Sequence, residues 1–250
     1  YLRERGVTAE TAQGFGLGFA PDRWDGLAAH FTPATVAHAV SAGMLIEREG
    51  GGRPYDRFRG RLIWPIRDVT GATVGFGARK LSEEDQGPKY LNTPETPVFH
   101  KSQVLYGLDL AKREVARSHR IVVVEGYTDV MAAHLSGVEG AVATCGTAFG
   151  EDHIKVIRRI VRDEADLAPA KVVFTFDGDA AGQKAAMKAY AQDDKWASQS
   201  FVAVAREGMD PCDLRLREGD LAVRELVADA RTAWSLHTAA GGGQTAPIYF

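Results

Sequence analysis

Cysteine is scarce in this 250-residue chain: only Cys145 and Cys212 occur, and they do not form a Cys-x-x-Cys pair. This pattern excludes a disulfide framework and a cysteine-based zinc site, and it favours a reducing compartment. No run of residues approaches the ~20 apolar positions that a membrane helix needs. The chain opens on the charged segment YLRERG, without a signal peptide and without an initiator Met. We therefore expect a cytoplasmic fragment of a longer protein, with no zinc and no membrane contact.

A strong excess of one charge is also lacking, because the formal net charge is −3. The charges are unevenly distributed, however. Residues 53–120 contain 13 Lys and Arg against 8 Asp and Glu, whereas the rest of the chain contains 17 against 25. A basic region beside an acidic remainder is typical of a protein that binds phosphate in one place and metal in another.

The first 118 residues predict a mixed α+β region. Thr8 is a candidate N-cap for a short helix, and Thr32 with Pro33 predicts the start of a second helix that ends at Gly43. Short strands are predicted over 61–66 and 72–79, followed by a helix over 105–118.

After residue 118 the pattern becomes a regular alternation of strands and helices. Strands are predicted over 121–124, 140–145, 171–176 and 200–205, and helices over 128–137, 152–165 and 181–194. Such alternation predicts a parallel α/β sheet. We expect an α/β protein in three parts: a basic α+β subdomain (1–118), a parallel-sheet domain (119–206), and a C-terminal part (207–250). The last part would contain an acidic loop, a helix over 220–234 and a Gly-rich tail.

Pairs of acidic residues follow three of the predicted strands. They are Glu125 and Asp129, Asp177 and Asp179, and Asp210 and Asp213. Ligands of open parallel sheets bind beyond the carboxyl ends of the strands. Carboxylates gathered at one edge repel each other unless a cation lies between them. Because hard divalent cations prefer oxygen ligands, the pattern predicts a site for such ions.

Basic and aromatic residues cluster upstream of these acids. Arg57, Arg59 and Arg61 alternate, which predicts one basic face of an extended segment with Phe58 on the other face. Evenly spaced cations suit a phosphate backbone, and Tyr55, Tyr90 and Phe99 could stack on unpaired bases. In the alternative interpretation the aromatic residues belong to the core and the arginines are merely solvated.

Several segments resemble a known family. EGYTD (125–129) and DGD (177–179) resemble the two signatures of the toprim domain, and residues 55–81 and 88–108 resemble the RNA-polymerase core of bacterial DnaG-type primases. Asp210 matches the family's third acidic cluster, whereas Asp213 is separated from it by one residue more than the family pattern has.

The resemblance implies metal-dependent nucleotidyl transfer, in which a 3′-hydroxyl attacks the α-phosphate of a ribonucleoside triphosphate. It implies two or more Mg²⁺ or Mn²⁺ ions bound by Glu125, Asp177, Asp179, Asp210 and Asp213. The implied catalytic residues are Glu125, Asp129, Asp177 and Asp179. The implied DNA- and nucleotide-binding residues are Arg57, Arg59, Arg61, Arg79, Lys89, Asn92 and Lys101.

The resemblance also implies partners. They are a single-stranded DNA template, ribonucleoside triphosphates, an RNA–DNA heteroduplex and, through a domain that this sequence does not contain, the replicative helicase. A monomer is expected.

Two other functions are compatible with the same residues. A toprim nuclease would cleave a strand rather than incorporate ribonucleotides. A non-catalytic module would bind single-stranded DNA in a salt-sensitive way that metal does not affect. A topoisomerase would need a tyrosine nucleophile on a further domain, and no residue of this sequence clearly supplies it.

Overall fold

The computed structural model describes residues 1–161, 170–176, 199–205 and 208–232. The chain divides into two compact units. The first is Tyr1–Asp109 with Thr144–Ala148, and the second is Leu110–Ala143 with Phe149–Phe250. The three-part division at residues 118 and 206 stays a prediction. In the described ranges, no helix combines the length and the apolarity that crossing a bilayer would require.

The first unit contains several short strands, and the pairs formed among the first six of them are antiparallel. They are β1 (Gly18–Ala20), β2 (Leu45–Ile46), β3 (Tyr55–Asp56), β4 (Arg61–Arg67), β5 (Thr73–Lys80), β6 (Tyr90–Asn92) and β7 (Leu105–Tyr106). Four of them form a sheet in the order β1-β4-β5-β6, and β2 pairs separately with β3. Trp64 and Ile66 on β4 are fully buried. A Cβ added at Gly75 on β5 would lie 3.2 Å from the Phe99 ring, so glycine allows that ring to pack against the sheet.

The first unit also contains the short helices α1 (Ala9–Gly14) and α2 (Val36–Ser41). The predicted cap at Thr8 is confirmed, since its hydroxyl accepts a hydrogen bond from the Thr11 N–H at 3.1 Å. The predicted start of α2 at Thr32 is wrong. The Thr35 hydroxyl accepts a hydrogen bond from the Thr32 N–H at 3.0 Å, which turns residues 32–35 into a bend that precedes the helix.

The second unit contains the predicted parallel sheet. Its strands are β8 (Arg120–Val124), β9 (Ala141–Thr144), β10 (Lys171–Phe176), β11 (Gln199–Val204) and β12 (Arg231–Thr232). They lie in the order β12-β11-β10-β8-β9. The strands β8, β9, β10 and β11 are parallel, and β12 runs antiparallel to β11. Residues 121–124 of β8 are all buried, as expected for a strand covered on both faces.

Helices lie before and between the strands of this sheet in the sequence. They are α3 (Leu108–Ser118), α4 (Tyr127–Leu135), α5 (Glu151–Val161), α6 (Pro211–Glu218) and α7 (Asp220–Ala228). Helix α6 was not predicted, and α7 ends at Ala228 rather than at residue 234, because β12 follows it. The predicted helix over 181–194, the end of the one over 152–165 and the Gly-rich tail lie outside the described residues.

Gly43 provides a test of packing in the first unit. Its φ is +69°, and an added Cβ would lie 2.7 Å from Cδ of Pro94. We expect Gly43→Ala to lower the free energy of unfolding by about 3 kcal/mol, because left-handed strain and a clash with a rigid ring combine. Gly50→Ala is the matched control, since Gly50 has φ +83° with open space around it; it should cost about 1 kcal/mol. Urea denaturation measures both, and equal losses would contradict the predicted clash.

Candidate active site

The turn after β8 presents Glu125. The chain passes from β8 through Glu125 and Gly126 into α4, and Glu125 is exposed. Asp129, in the first turn of α4, is 5% exposed, and its Oδ2 accepts a hydrogen bond from the Gly126 N–H at 2.9 Å. The contact that the structure shows for Asp129 therefore fixes the turn beside Glu125. A direct catalytic role for Asp129 stays a prediction.

The segment after β11 presents the third acidic pair. Asp210 is the N-cap of α6, and its Oδ1 accepts a hydrogen bond from the Asp213 N–H at 2.6 Å. Pro211 occupies the first helical position, where its missing N–H costs nothing. Asp210 is half-buried and Asp213 is exposed. Helix α6 packs against α4, so the helices that begin after these two acidic segments are neighbours.

The strands that precede these acids end at one edge of the sheet. β10 lies between β8 and β11 and is parallel to both. The carboxyl ends of the three strands therefore meet at the same edge of the sheet. Glu125 follows β8 and Asp210 follows β11, on either side of the end of β10. Asp177 and Asp179 follow β10 in the sequence and lie outside the described residues.

The donor atoms at this edge fit hard cations. Glu125, Asp210 and Asp213 offer carboxylate oxygens, which Mg²⁺ and Mn²⁺ accept. Across the described ranges, no group of three or more His, Cys, Asp or Glu side chains is arranged as a metal site. Two of the five predicted ligands, Asp177 and Asp179, fall outside those ranges. The metal assignment therefore stays a prediction that the chemistry of the donor set supports.

The prediction that Arg57, Arg59 and Arg61 share one face is wrong. Gly60 has φ +60°, which interrupts the extended backbone before β4 begins at Arg61. Arg57 Nε donates to the Gly43 carbonyl at 2.7 Å, and burial lowers the pKa of the Arg57 guanidinium. The three side chains occupy three separate environments.

Arg61 is buried in an ion pair. Its side chain is 5% exposed, and its Nη2 lies 2.6 Å from Oδ2 of Asp85. Its Nη1 donates to the Pro88 carbonyl at 2.8 Å, directly before Lys89. Asp85 in turn accepts a hydrogen bond from the Gly87 N–H at 2.7 Å. Arg61 thus anchors the loop that leads into β6, and its predicted contact with DNA or nucleotide stays untested.

Arg59 stacks on an exposed tryptophan that the sequence-based prediction missed. Its Cζ lies 4.0 Å from the centroid of the Trp24 ring, which is 59% exposed, and 5.5 Å from the Tyr55 ring. The Trp24 and Tyr55 centroids are 5.2 Å apart. We call Trp24, Tyr55 and Arg59 the Trp24–Arg59 stack. The sequence could not reveal this contact, because Trp24 and Arg59 are distant in the chain.

A second set of cations and aromatic rings surrounds Arg79. Its Cζ lies 3.8 Å from the centroid of the Tyr1 ring. Tyr90, on the neighbouring strand, is 45% exposed, and Lys89 Nζ lies 5.9 Å from its ring. Phe99 is fully buried, so the core interpretation is the right one for this residue.

The side chain of Asn92 and the backbone of Lys101 each donate a hydrogen bond. Asn92 Nδ2 donates to the Cys145 carbonyl at 2.9 Å, and a Cβ at the next residue, Gly146, would collide with that amide. The Lys101 N–H donates to Oε1 of Glu95 at 3.0 Å. This bond and the contact of Glu95 with His100 lower the pKa of the Glu95 carboxyl. The predicted nucleotide contacts of Asn92 and Lys101 stay predictions.

Comparisons with known proteins identify the family. The family described as DNA primase catalytic core, N-terminal domain, matches residues 1–112, and the Toprim domain family matches residues 119–203. The chain is 49% identical to the RNA polymerase domain of Mycobacterium tuberculosis primase DnaG, with a TM-score of 0.89. The alignment covers 96% of this chain and 78% of that one. The chain belongs to the DnaG-type primase family.

Other DnaG relatives agree. The DNA primase of Streptomyces coelicolor is 56% identical over 231 residues, which are 91% of this chain and 35% of that protein. The chain therefore spans about a third of the length of its curated relatives. A DnaG primase catalytic domain bound to ssDNA matches with 36% identity and a TM-score of 0.81, covering 96% of this chain and 73% of that one. The predicted resemblance and the α/β fold class are confirmed.

The ion pair of Arg61 with Asp85 generates a prediction about stability. Asp85→Asn should lower the free energy of unfolding by about 3 kcal/mol, because it removes the partner of a buried cation. The control is Asp25→Asn, whose Arg23–Asp25 pair is 66% and 57% exposed; it should cost less than about 1 kcal/mol. Denaturation in urea measures both variants, and equal values would show that burial does not strengthen the Arg61 pair.

Proposed function

We propose that the chain is a primase catalytic core, which synthesises short RNA primers on single-stranded DNA by metal-dependent nucleotidyl transfer. The observation that carries the proposal is the parallel order of β8, β10 and β11, in a chain whose relatives are DNA primases. This order supports the proposal, because Glu125 and Asp210 follow the two strands that pair with β10 on either side.

The chemistry requires charge neutralisation and proton removal. A 3′-hydroxyl attacks the α-phosphate of a ribonucleoside triphosphate, and pyrophosphate leaves. Glu125, Asp177, Asp179, Asp210 and Asp213 would hold Mg²⁺ or Mn²⁺, which neutralises triphosphate charge when bound. Glu125 is exposed at the edge, where a carboxylate can accept the proton of the hydroxyl. Asp129 holds the turn in which Glu125 lies.

The first unit offers surfaces for the template. The Trp24–Arg59 stack presents an exposed indole beside a cation, which suits an unpaired base next to its phosphate. Lys89 and Tyr90 repeat this combination at the start of β6. A relative with the same fold is solved with ssDNA bound. Arg79 and Lys101 would contact the incoming triphosphate or the RNA–DNA heteroduplex.

The remaining partners follow from the family. The helicase contact would belong to parts of the protein outside this chain, since the relatives are about three times as long. A replication enzyme of this kind would work in the bacterial cytoplasm, and this core would act as a monomer.

A carboxylate series tests the chemistry. Glu125→Gln, Asp177→Ala and Asp179→Ala should each abolish dinucleotide synthesis from ribonucleoside triphosphates on single-stranded template, because each removes a metal ligand or proton acceptor. Glu139→Gln, which changes another exposed carboxylate of the second unit, should retain full activity. Strand cleavage instead of ribonucleotide incorporation would favour the nuclease. Titration with Mn²⁺ should raise the Tm of the parent chain more than that of Asp177→Ala, and equal shifts would contradict the metal assignment.

The salt dependence of DNA binding tests the role of Lys89. Lys89→Ala should weaken binding to oligonucleotides of any sequence, and it should reduce the slope of log K against log[salt] by about 0.7, because one phosphate contact is lost. Lys155→Ala is the control, since Lys155 is paired with Asp152 at 2.8 Å. Fluorescence anisotropy at four salt concentrations gives the slopes. An unchanged slope in Lys89→Ala would place Lys89 away from the backbone of the DNA.

A further inference from the structure

Asp56 connects the two chain segments of the Trp24–Arg59 stack. It is 3% exposed, and its carboxylate accepts hydrogen bonds from the N–H groups of Leu27 at 2.6 Å and Ala28 at 2.8 Å. Its own N–H donates to the Trp24 carbonyl at 2.9 Å. Its carbonyl accepts a hydrogen bond from Nη1 of Arg59. A single residue therefore contacts both the tryptophan segment and the arginine.

The tryptophan segment depends on such contacts. Residues 21–25 are all exposed and lie in neither a helix nor a strand. An exposed indole on a segment of this kind samples several orientations unless the backbone is fixed. Asp56 supplies three hydrogen bonds to Trp24, Leu27 and Ala28, and a Cβ added at Gly26 would lie 3.3 Å from its Oδ2. The backbone from Trp24 to Ala28 therefore packs around the Asp56 carboxylate.

We propose that Asp56 is a positioning residue, which holds the Trp24–Arg59 stack in the geometry that receives an unpaired base. The inference rests on the proposed function, because it takes the stack to be a contact with single-stranded DNA. This role requires a carboxylate rather than an amide. An amide in its place would direct its own N–H donors at one of the two backbone donors and would leave that donor unpaired.

Asp68 provides a matched control. It lies in the turn between β4 and β5, where its Oδ1 accepts hydrogen bonds from the N–H groups of Thr70 at 2.9 Å and Ala72 at 3.1 Å. Asp68→Asn therefore makes the same chemical change to a carboxylate that holds a turn. It leaves the stack untouched.

The experiment uses the 250-residue chain labelled with 5-fluorotryptophan. The ¹⁹F resonance of Trp24 is assigned with Trp24→Phe. Asp56→Asn should shift or broaden this resonance and weaken binding of a fluorescent oligothymidine about tenfold, the scale of one base–aromatic stack. Asp68→Asn should change neither. If Asp56→Asn does not fold, Gly26→Ala perturbs the same hydrogen bonds more mildly and should change both signals in the same direction.

A double-mutant cycle separates positioning from general damage. If Asp56 acts through the indole, Asp56→Asn should add no further loss of affinity in a Trp24→Ala background, and it should leave the salt slope unchanged. Additive losses, or a parent-like ¹⁹F signal in Asp56→Asn, would overturn the proposal. If Trp24→Ala alone binds DNA like the parent chain, the stack is not a DNA contact and the binding role of Asp56 fails with it. Whether Glu125 and the other predicted metal ligands support primer synthesis would remain a separate question, which the carboxylate series tests.

Discussion

Parallel pairing of β8, β10 and β11 is the constraint on which the candidate site depends. Because each strand must run in the same direction as its neighbour, the three chain segments that leave them emerge at one edge. Glu125 and Asp210 come from opposite sides of β10, although 84 residues separate them in the numbering. We therefore expect the crossovers to concentrate negative charge at this edge, where a bound cation would offset the repulsion.

Acidic residues of the basic region 53–120 hold backbone near a cation or an aromatic side chain. Asp85 binds the loop before Lys89, and Glu95 binds the N–H of Lys101. Asp56 binds the segment of Trp24, on which Arg59 stacks. In each case a carboxylate accepts backbone hydrogen bonds, which order irregular chain beside a positive or aromatic side chain. The less frequent acidic residues of this region thus order the backbone beside its basic and aromatic residues.

The sequence predicted best where the signal was local and repeated. The four parallel strands follow from short apolar runs, and β10 matches its predicted range of 171–176. Helix α6 was missed because Asp210 and Pro211 suggested a loop, although both are also typical of a helix start. The prediction that the arginines share one face was wrong, because Gly60 has a left-handed φ that interrupts the extended backbone. The contact of Arg59 with Trp24 joins distant segments, so no periodicity could reveal it.

Strand β12 has a consequence for self-association. It pairs antiparallel with Phe201 and Val202, on the side of β11 opposite β10. An uncovered edge strand is a template on which another polypeptide can build, as in domain swapping and aggregation. At these two residues, an intruding strand would first have to displace β12. The two-residue strand β12 therefore occupies part of the β11 edge that another polypeptide could otherwise extend.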